Sequence, residues 1–235
     1  MCGRFAQFQT TAQYLEQLGS DLEFVDGFDT TPLARYNIGP GTRVLMLNQR
    51  DDTLHLDAVR WGYQPQWAKD AHRPAMINAR VETAATSRMF KPLWEHGRGL
   101  IMADGWYEWK KDPLDAKRKQ PYFIYHREQH PIFFAAISRF HPVRLEPDDD
   151  EGFVIVTAST DGGLLDIHDR RPLVMTLEAS REWLDPGTSP AQAIELATQC
   201  ALPTEAFDWR PVGNAVGSVK NNTASLIEPI STPLV

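Results

Sequence analysis

Apolar positions recur along the chain with two different periods, and the switch between them marks out the elements. Tyr14, Leu15 and Leu18 share a stripe of helical spacing. Thr10 or Thr11 can cap its start and Gly19 ends it, so a helix is expected over 10–18. Residues 21–42 hold Gly27, Pro32, Gly39, Pro40 and Gly41 and read as loop. The pattern then shifts to period two. Strands are expected at 43–48 and 54–61, the second with Leu54, Leu56 and Ala58 on one face. A short helix is expected near 82–90, and Pro92 starts a separate turn that carries Trp94.

The middle of the chain is rich in strand signals, at 99–103, 106–110, 121–126, 131–138 and 152–158, separated by Gly, Pro and charged stretches. That spacing suggests a sheet curled into a barrel or sandwich. Residues 111–120 read as an exposed hairpin loop and residues 141–151 as a solvated acidic insertion. Two helices follow, at 177–184 with Thr176 as cap, and at 190–199 with Ser189 as cap and Pro190 in the first position. No internal repeat and no long linker interrupts the pattern. The expected fold is α+β: a single domain over 1–235, with its core at about 2–222, built on a curled, mainly antiparallel sheet flanked by short helices.

Composition narrows the classes. Hydrophobic residues are 42% and charged residues 23% of the chain, as in ordinary globular proteins. No apolar run approaches the roughly 18 residues of a membrane helix, and the first residues lack the apolar stretch of a secretory signal. A cytoplasmic protein, nucleoid-associated when bound to DNA, and a monomer is therefore expected. Two cysteines, Cys2 and Cys200, make no disulfide framework and no zinc-like spacing. No metal and no organic cofactor is expected in the chemistry, and Cys200, at the end of a predicted helix, reads as structural. The net charge of −7 argues against a nucleic-acid partner. The acid is concentrated in Glu146, Asp148, Asp149, Asp150 and Glu151, however, while Arg4, Arg80, Arg170 and Arg171 lie in motif-like stretches elsewhere.

Cys2 carries the sharpest chemical signal. Methionine aminopeptidase generally removes Met1 when the second residue is small. Removal leaves an amine and a thiol on one two-carbon unit, titrating at about 8 and about 8.5, whereas a lysine amine titrates at about 10.4. A 1,2-aminothiol condenses with an aldehyde to an imine, and the thiolate then closes a five-membered thiazolidine; no internal cysteine can do this. The bland alternative is a small residue at a loose terminus. The context MCGRF adds Gly3, which lets a ligand approach the backbone, and Arg4, which can hold a phosphate.

MCGRF, WGYQPQW (61–67), INARVET (77–83), ADGWYEWKK (103–111), FFAAISR (133–139) and TASTDGGLLDIHDRRPLVM (157–175), with a weaker continuation at 209–222, resemble the SOS response-associated peptidase (SRAP) family. Its members are also described as abasic-site processing proteins. The resemblance implies an N-terminal cysteine exposed by loss of the initiator methionine and a covalent thiazolidine link to abasic sites in single-stranded DNA. Carried onto this chain, it implies Cys2 as nucleophile together with Asn78, Arg80, Glu108, His168 and Arg170.

Local sequence leaves alternatives at each position. Glu108 lies between Tyr107 and Trp109. On a strand it shares a face with Trp106, whose packing can desolvate it and fit it to shuttle protons near neutrality. It can equally be a surface glutamate paired with Lys110 or Lys111. His168 can donate a proton as the sugar opens, or simply pair with Asp169. Asn78 can orient Cys2 or the opened sugar, or cap a turn. Arg4, Arg80, Arg170 and Arg171 can hold phosphates or be solvated. Trp61, Tyr63 and Trp67 offer flat surfaces for bases, with Trp67 expected to be the exposed one. Two rival functions stay open. One is a cysteine hydrolase using Cys2, His168 and Asn78; the other is a non-covalent reader of modified DNA.

Overall fold

The run IFFAAISR at 132–139 shows how the fold is built. Its apolar residues do not alternate with polar ones, because both faces of this strand are covered. Ile132, Phe134 and Ala136 point into one core, and Phe133, Ala135 and Ile137 into another. The same division holds for Phe153 and Ile155 against Val154 and Val156.

The computed structural model describes residues 2–24, 29–115, 117–140 and 151–231. Its strands are β1 (Phe5–Gln7), β2 (Glu23–Phe24), β3 (Arg35–Ile38), β4 (Arg43–Arg50), β5 (Thr53–Arg60), β6 (Asn78–Arg80), β7 (Arg98–Ala103), β8 (Gly105–Lys111), β9 (Lys119–His126), β10 (Ile132–Arg139), β11 (Gly152–Ser159), β12 (Arg170–Pro172) and β13 (Phe207–Pro211). Its helices are α1 (Thr11–Leu18), α2 (Gln66–Asp70), α3 (Val81–Ala84), α4 (Lys91–His96), α5 (Leu177–Leu184) and α6 (Pro190–Gln199). One sheet has the order β13-β9-β8-β1-β3. The other has the order β12-β11-β10-β7-β4-β5-β2, and β6 lies parallel to β11.

The two sheets enclose a shared core that includes Cys2, Phe5, Trp61, Trp106, Phe134, Phe153 and Phe207. The outer face of the larger sheet is covered by helices, with Tyr14, Trp94 and Trp183 fully buried beneath them. The α+β class with mainly antiparallel sheets and short helices is as expected. Among the described residues, no helix is long and apolar enough to cross a membrane.

The chain passes from one sheet to the other between β7 and β8. Gly105 makes the corner: a Cβ there would fall 2.4 Å from the Ile124 carbonyl oxygen. Asp104, beside it, is buried and accepts hydrogen bonds from the Tyr14 hydroxyl, the Phe8 amide and the Gln9 side chain. This knot ties α1 and the end of β1 to the corner.

Locally encoded helices fall where the sequence puts them. α1 has Thr10 as N-cap with a full capping box, and Gly19 closes it in the left-handed conformation at φ 60°. α5 and α6 start from Thr176 and Ser189. Four expectations change. The helix expected at 82–90 stops at Ala84. The turn at Pro92 is a helix, α4, because proline fits a first helical turn, where no amide partner is required. The loop at 21–42 contains β2 and β3. The hairpin loop is shorter than 111–120, because Lys111 and Lys119 still pair. The acidic insertion lies outside the described residues, except for Glu151.

Candidate active site around Cys2

β1 is an interior strand, hydrogen-bonded to β8 on one side and β3 on the other. Phe5 faces Trp106, and the Tyr107 amide donates to the Arg4 carbonyl. Continued by two residues, this register sets Gly3 opposite Glu108. Pairing of β1 and β8 therefore delivers Cys2 to Glu108. On β8 the alternation sends Trp106 and Glu108 inward between the sheets, while Tyr107 packs outward.

Cys2 is fully buried. Burial, and after it the nearby Glu108 carboxylate, hold its thiol well above the ordinary range. Asn78, at the start of β6, donates from Nδ2 to the Cys2 carbonyl at 2.9 Å. Its Oδ1 is buried and accepts no hydrogen bond among the described residues. That leaves one free acceptor beside the Cys2 backbone.

Glu108 is 4% exposed. Burial pushes its carboxyl up to about 7, and the Asp169 carboxylate adds to the rise. The group is therefore buried beside Cys2 rather than paired with Lys110 or Lys111 at the surface. His168 follows the 3-10 turn Gly162–Asp166, and its Nε2 lies 4.0 Å from Glu108 Oε2. Its Nδ1 has two neighbours, the Arg170 amide at 3.0 Å and Asp169 Oδ1 at 2.9 Å. Burial holds the imidazole below its usual range, against the pull of Asp169. Near neutrality the ring is uncharged. Nδ1 then accepts from the Arg170 amide, and Nε2 carries its hydrogen toward Glu108. Cys2, Asn78, Glu108 and His168, from four separate stretches of sequence, are thus brought together.

The arginines occupy three different settings. Arg4 is half-buried and donates from Nη1 to Asn37 Oδ1 and to the Val216 carbonyl, both at 2.9 Å. Arg80 is exposed at the end of β6 and makes no side-chain hydrogen bond among the described residues. Arg170 is engaged inside the fold: its guanidinium holds Glu82 with two bonds, at 2.7 and 3.0 Å, and the Thr157 carbonyl with a third. Arg171 is 6% exposed, lies over the Phe207 ring and donates to the Leu202 carbonyl.

Behind Glu108 and His168 is a cavity of about 10 Å³, walled also by Trp106, Thr160, Arg170 and Arg171. The buried atoms Trp106 Nε1, Thr160 Oγ1, Arg170 Nε, Arg171 Nε and Arg171 Nη1 have no partner among the described residues. Trp106 follows from the face it shares with Glu108, whereas nothing in the local sequence marks Thr160 as part of this wall.

Of the three aromatics read as flat surfaces, Trp61 is core. It is fully buried, its Nε1 donates to the Ile77 carbonyl, and it packs edge-on against Phe5. Tyr63 is 5% exposed. Trp67, in α2, is 47% exposed, with the Arg73 guanidinium 5.6 Å from its ring centre. It borders a separate groove of about 460 Å³ that also includes Arg88, Met89, Arg139 and Phe140. None of Cys2, Asn78, Glu108 or His168 lines that groove.

Residues 1–219 match the family model described as SOS response associated peptidase (SRAP). The chain is 54% identical over 230 residues to the abasic site processing protein YedK of Escherichia coli, covering 98% of this chain and all of that one. It is 33% identical over 233 residues to the abasic site processing protein YoqW of Bacillus subtilis, covering 97% of this chain and 99% of that one. Among solved structures, a phage-related protein from Bordetella bronchiseptica superposes with a TM-score of 0.75 at 39% identity, covering 90% of this chain and 94% of that one. The chain belongs to the SRAP family.

Proposed function

We propose that this protein senses abasic sites in single-stranded DNA and captures the opened sugar covalently through Cys2, once Met1 has been removed. The observation that carries the reading is the grouping of Asn78 and Glu108 at Cys2, with His168 4.0 Å from Glu108. Its relatives' names point to the same lesion.

The steps balance without a cofactor. The abasic sugar opens to its aldehyde, with the His168 Nε2–H hydrogen-bonding the ring oxygen as it departs. The Cys2 amine adds to the aldehyde carbon, with the Asn78 Oδ1 acceptor orienting the N–H. Glu108, poised near neutrality, protonates the carbinolamine hydroxyl, which leaves as water and gives the imine. The resulting carboxylate takes the thiol proton, and sulfur bonds to the carbon of the protonated imine while the C=N electron pair returns to nitrogen, which keeps the proton it already carries. The net change is one thiazolidine ring and one water released. The imine acidifies the neighbouring sugar C–H and invites strand cleavage by β-elimination, so closing the ring protects the strand.

A thiol hydrolase fits the site less well. Thiol proteases hold a thiolate by pairing it with imidazolium. Here burial raises the thiol, the imidazole is neutral, and it faces Glu108.

The test is Cys2→Ala on an oligonucleotide carrying one abasic site, read by intact mass and denaturing gel. The substituted protein is expected to lose the heat-stable adduct and keep single-strand binding. A heat-stable adduct from Cys2→Ala would overturn the mechanism. Acetylation of the N-terminal amine separates the alternatives: it abolishes ring closure and spares a non-covalent reader.

A further inference from the structure

At the end of β9, the turn HREQH that carries the chain to β10 in the other sheet gathers three side chains that the proposed chemistry does not use. His126 is the last residue of β9, and the Gln129 amide bonds back to its carbonyl at 2.7 Å. Gln129 takes the left-handed conformation at φ 58°, which returns the chain so that His130 falls beside His126. The two rings are stacked, with centres 5.5 Å apart and planes 7° from parallel. Glu128 Oε2 reaches within 3.6 Å of His130 Nδ1. One donor atom from each of the three lies within 4.8 Å of the other two.

We infer that His126, Glu128 and His130 form a surface binding site for a divalent transition-metal ion of the zinc type. Two imidazoles and one carboxylate are the donor set of such ions rather than of magnesium or calcium, which prefer all-oxygen shells. Tetrahedral zinc, with bonds of about 2.0–2.2 Å, sets its ligands about 3.3 Å apart. Glu128 Oε2 and His130 Nδ1, at 3.6 Å, are near that spacing, and both side chains are exposed and can close the remaining separations, which are within 4.8 Å. His126 is the fixed member, packed edge-on against Phe207. Its Nδ1 accepts a long hydrogen bond from the Glu128 amide at 3.3 Å, which helps to fix the ring. The only guanidinium in the turn, on Arg127, is drawn away to Asp208 at 3.1 Å. Three protein ligands leave the fourth position of the ion open to water. This site stands apart from the reading of Cys2 and does not depend on it.

The experiment is a zinc titration of the full chain, stripped of metal beforehand and followed by calorimetry, with Cys2→Ala as a parallel arm because an aminothiol also chelates. The parent and Cys2→Ala are expected to bind one zinc ion with a dissociation constant on the order of micromolar. Glu128→Gln and His130→Gln, both exposed and so without cost to the fold, should each weaken binding by about tenfold or more, and His126→Gln likewise. Circular dichroism confirms that each variant is folded. Absence of zinc binding in the parent overturns the inference. So does affinity that survives the combined His126→Gln and His130→Gln substitutions, or that disappears with Cys2→Ala.

Discussion

Replacing Glu108 by glutamine should make the protein progressively more stable relative to the parent as pH rises, and less active at the same time. Burial holds the Glu108 carboxyl at about 7, against 4.5 for the free group. As pH rises from 4.5, the unfolded chain gives up this proton first. Between 4.5 and about 7 the native state binds more protons than the unfolded one, so native stability falls with rising pH. The gap, at about 1.4 kcal/mol per pH unit, comes to about 3 kcal/mol once both states are ionised. Glutamine has no proton to lose and nearly the same shape. Any constant cost of burying its amide appears at every pH and cancels when differences are compared. The assay is urea unfolding of the parent and of Glu108→Gln at about pH 4.5, 6, 7 and 8. The stability of the variant relative to the parent should climb by about 3 kcal/mol across the series, with most of the climb complete by pH 7. In the same preparations adduct formation should slow by about 10²–10⁴-fold, the usual worth of general acid–base catalysis. A relative stability that is flat with pH, or that runs the other way, would mean the carboxyl is not desolvated, and the argument for its proton-shuttling role would fall with it.

Three further expectations follow from where the other side chains lie. Arg80→Ala removes an exposed guanidinium that makes no side-chain hydrogen bond among the described residues, so it should lower the slope of log affinity for single strands against log salt by about 0.7 and change urea stability little; an unchanged slope would take Arg80 off the DNA path. Arg170→Met removes the two hydrogen bonds to Glu82, and its main effect should be a loss of about 1–3 kcal/mol in urea unfolding; a pure affinity loss at constant stability would place Arg170 on a phosphate instead. Trp67→Ala should weaken single-strand binding by about 1–3 kcal/mol in fluorescence anisotropy if the exposed ring stacks a base, and unaltered binding would return it to plain surface.

What could be read from sequence was mostly what is decided locally. Thr10, Gly19, Thr176, Ser189 and Pro190 announce α1, α5 and α6 because caps act within one turn. The inward face shared by Trp106 and Glu108 follows from a two-residue period, and the burial of Glu108 follows from that. β3 and β13 were invisible for the opposite reason. RYNI and FDWRP are short and carry polar residues or proline, and each becomes a strand only by pairing with distant segments, Phe5 for Ile38 and His126 for Phe207. The settings of the arginines were equally hidden. Nothing in IHDRRP tells that Arg170 turns to Glu82 and Arg171 into the wall behind His168 while Arg80 stays in solvent. Those outcomes depend on the parallel pairing of β6 with β11, which sets Arg80 opposite Thr157. Trp61 was equally unreadable as core, since its partners Phe5 and Phe153 lie far away in the chain.

β1 is synthesised first and can be seated only much later. Its neighbours on the two sides are residues 35–38 and 105–111, so its place in the sheet does not exist until nearly half the chain has left the ribosome. During that interval Cys2 has no wall around it, and an aminopeptidase can reach the residue in front of it. When β8 arrives, Cys2 passes from open to fully covered and Glu108 is set beside it in the same event. On the proposed function, sheet closure would act as a timer on translation: trimming of the terminus would have to come before the pocket closes over Cys2, and the pocket would then shelter the end it has received.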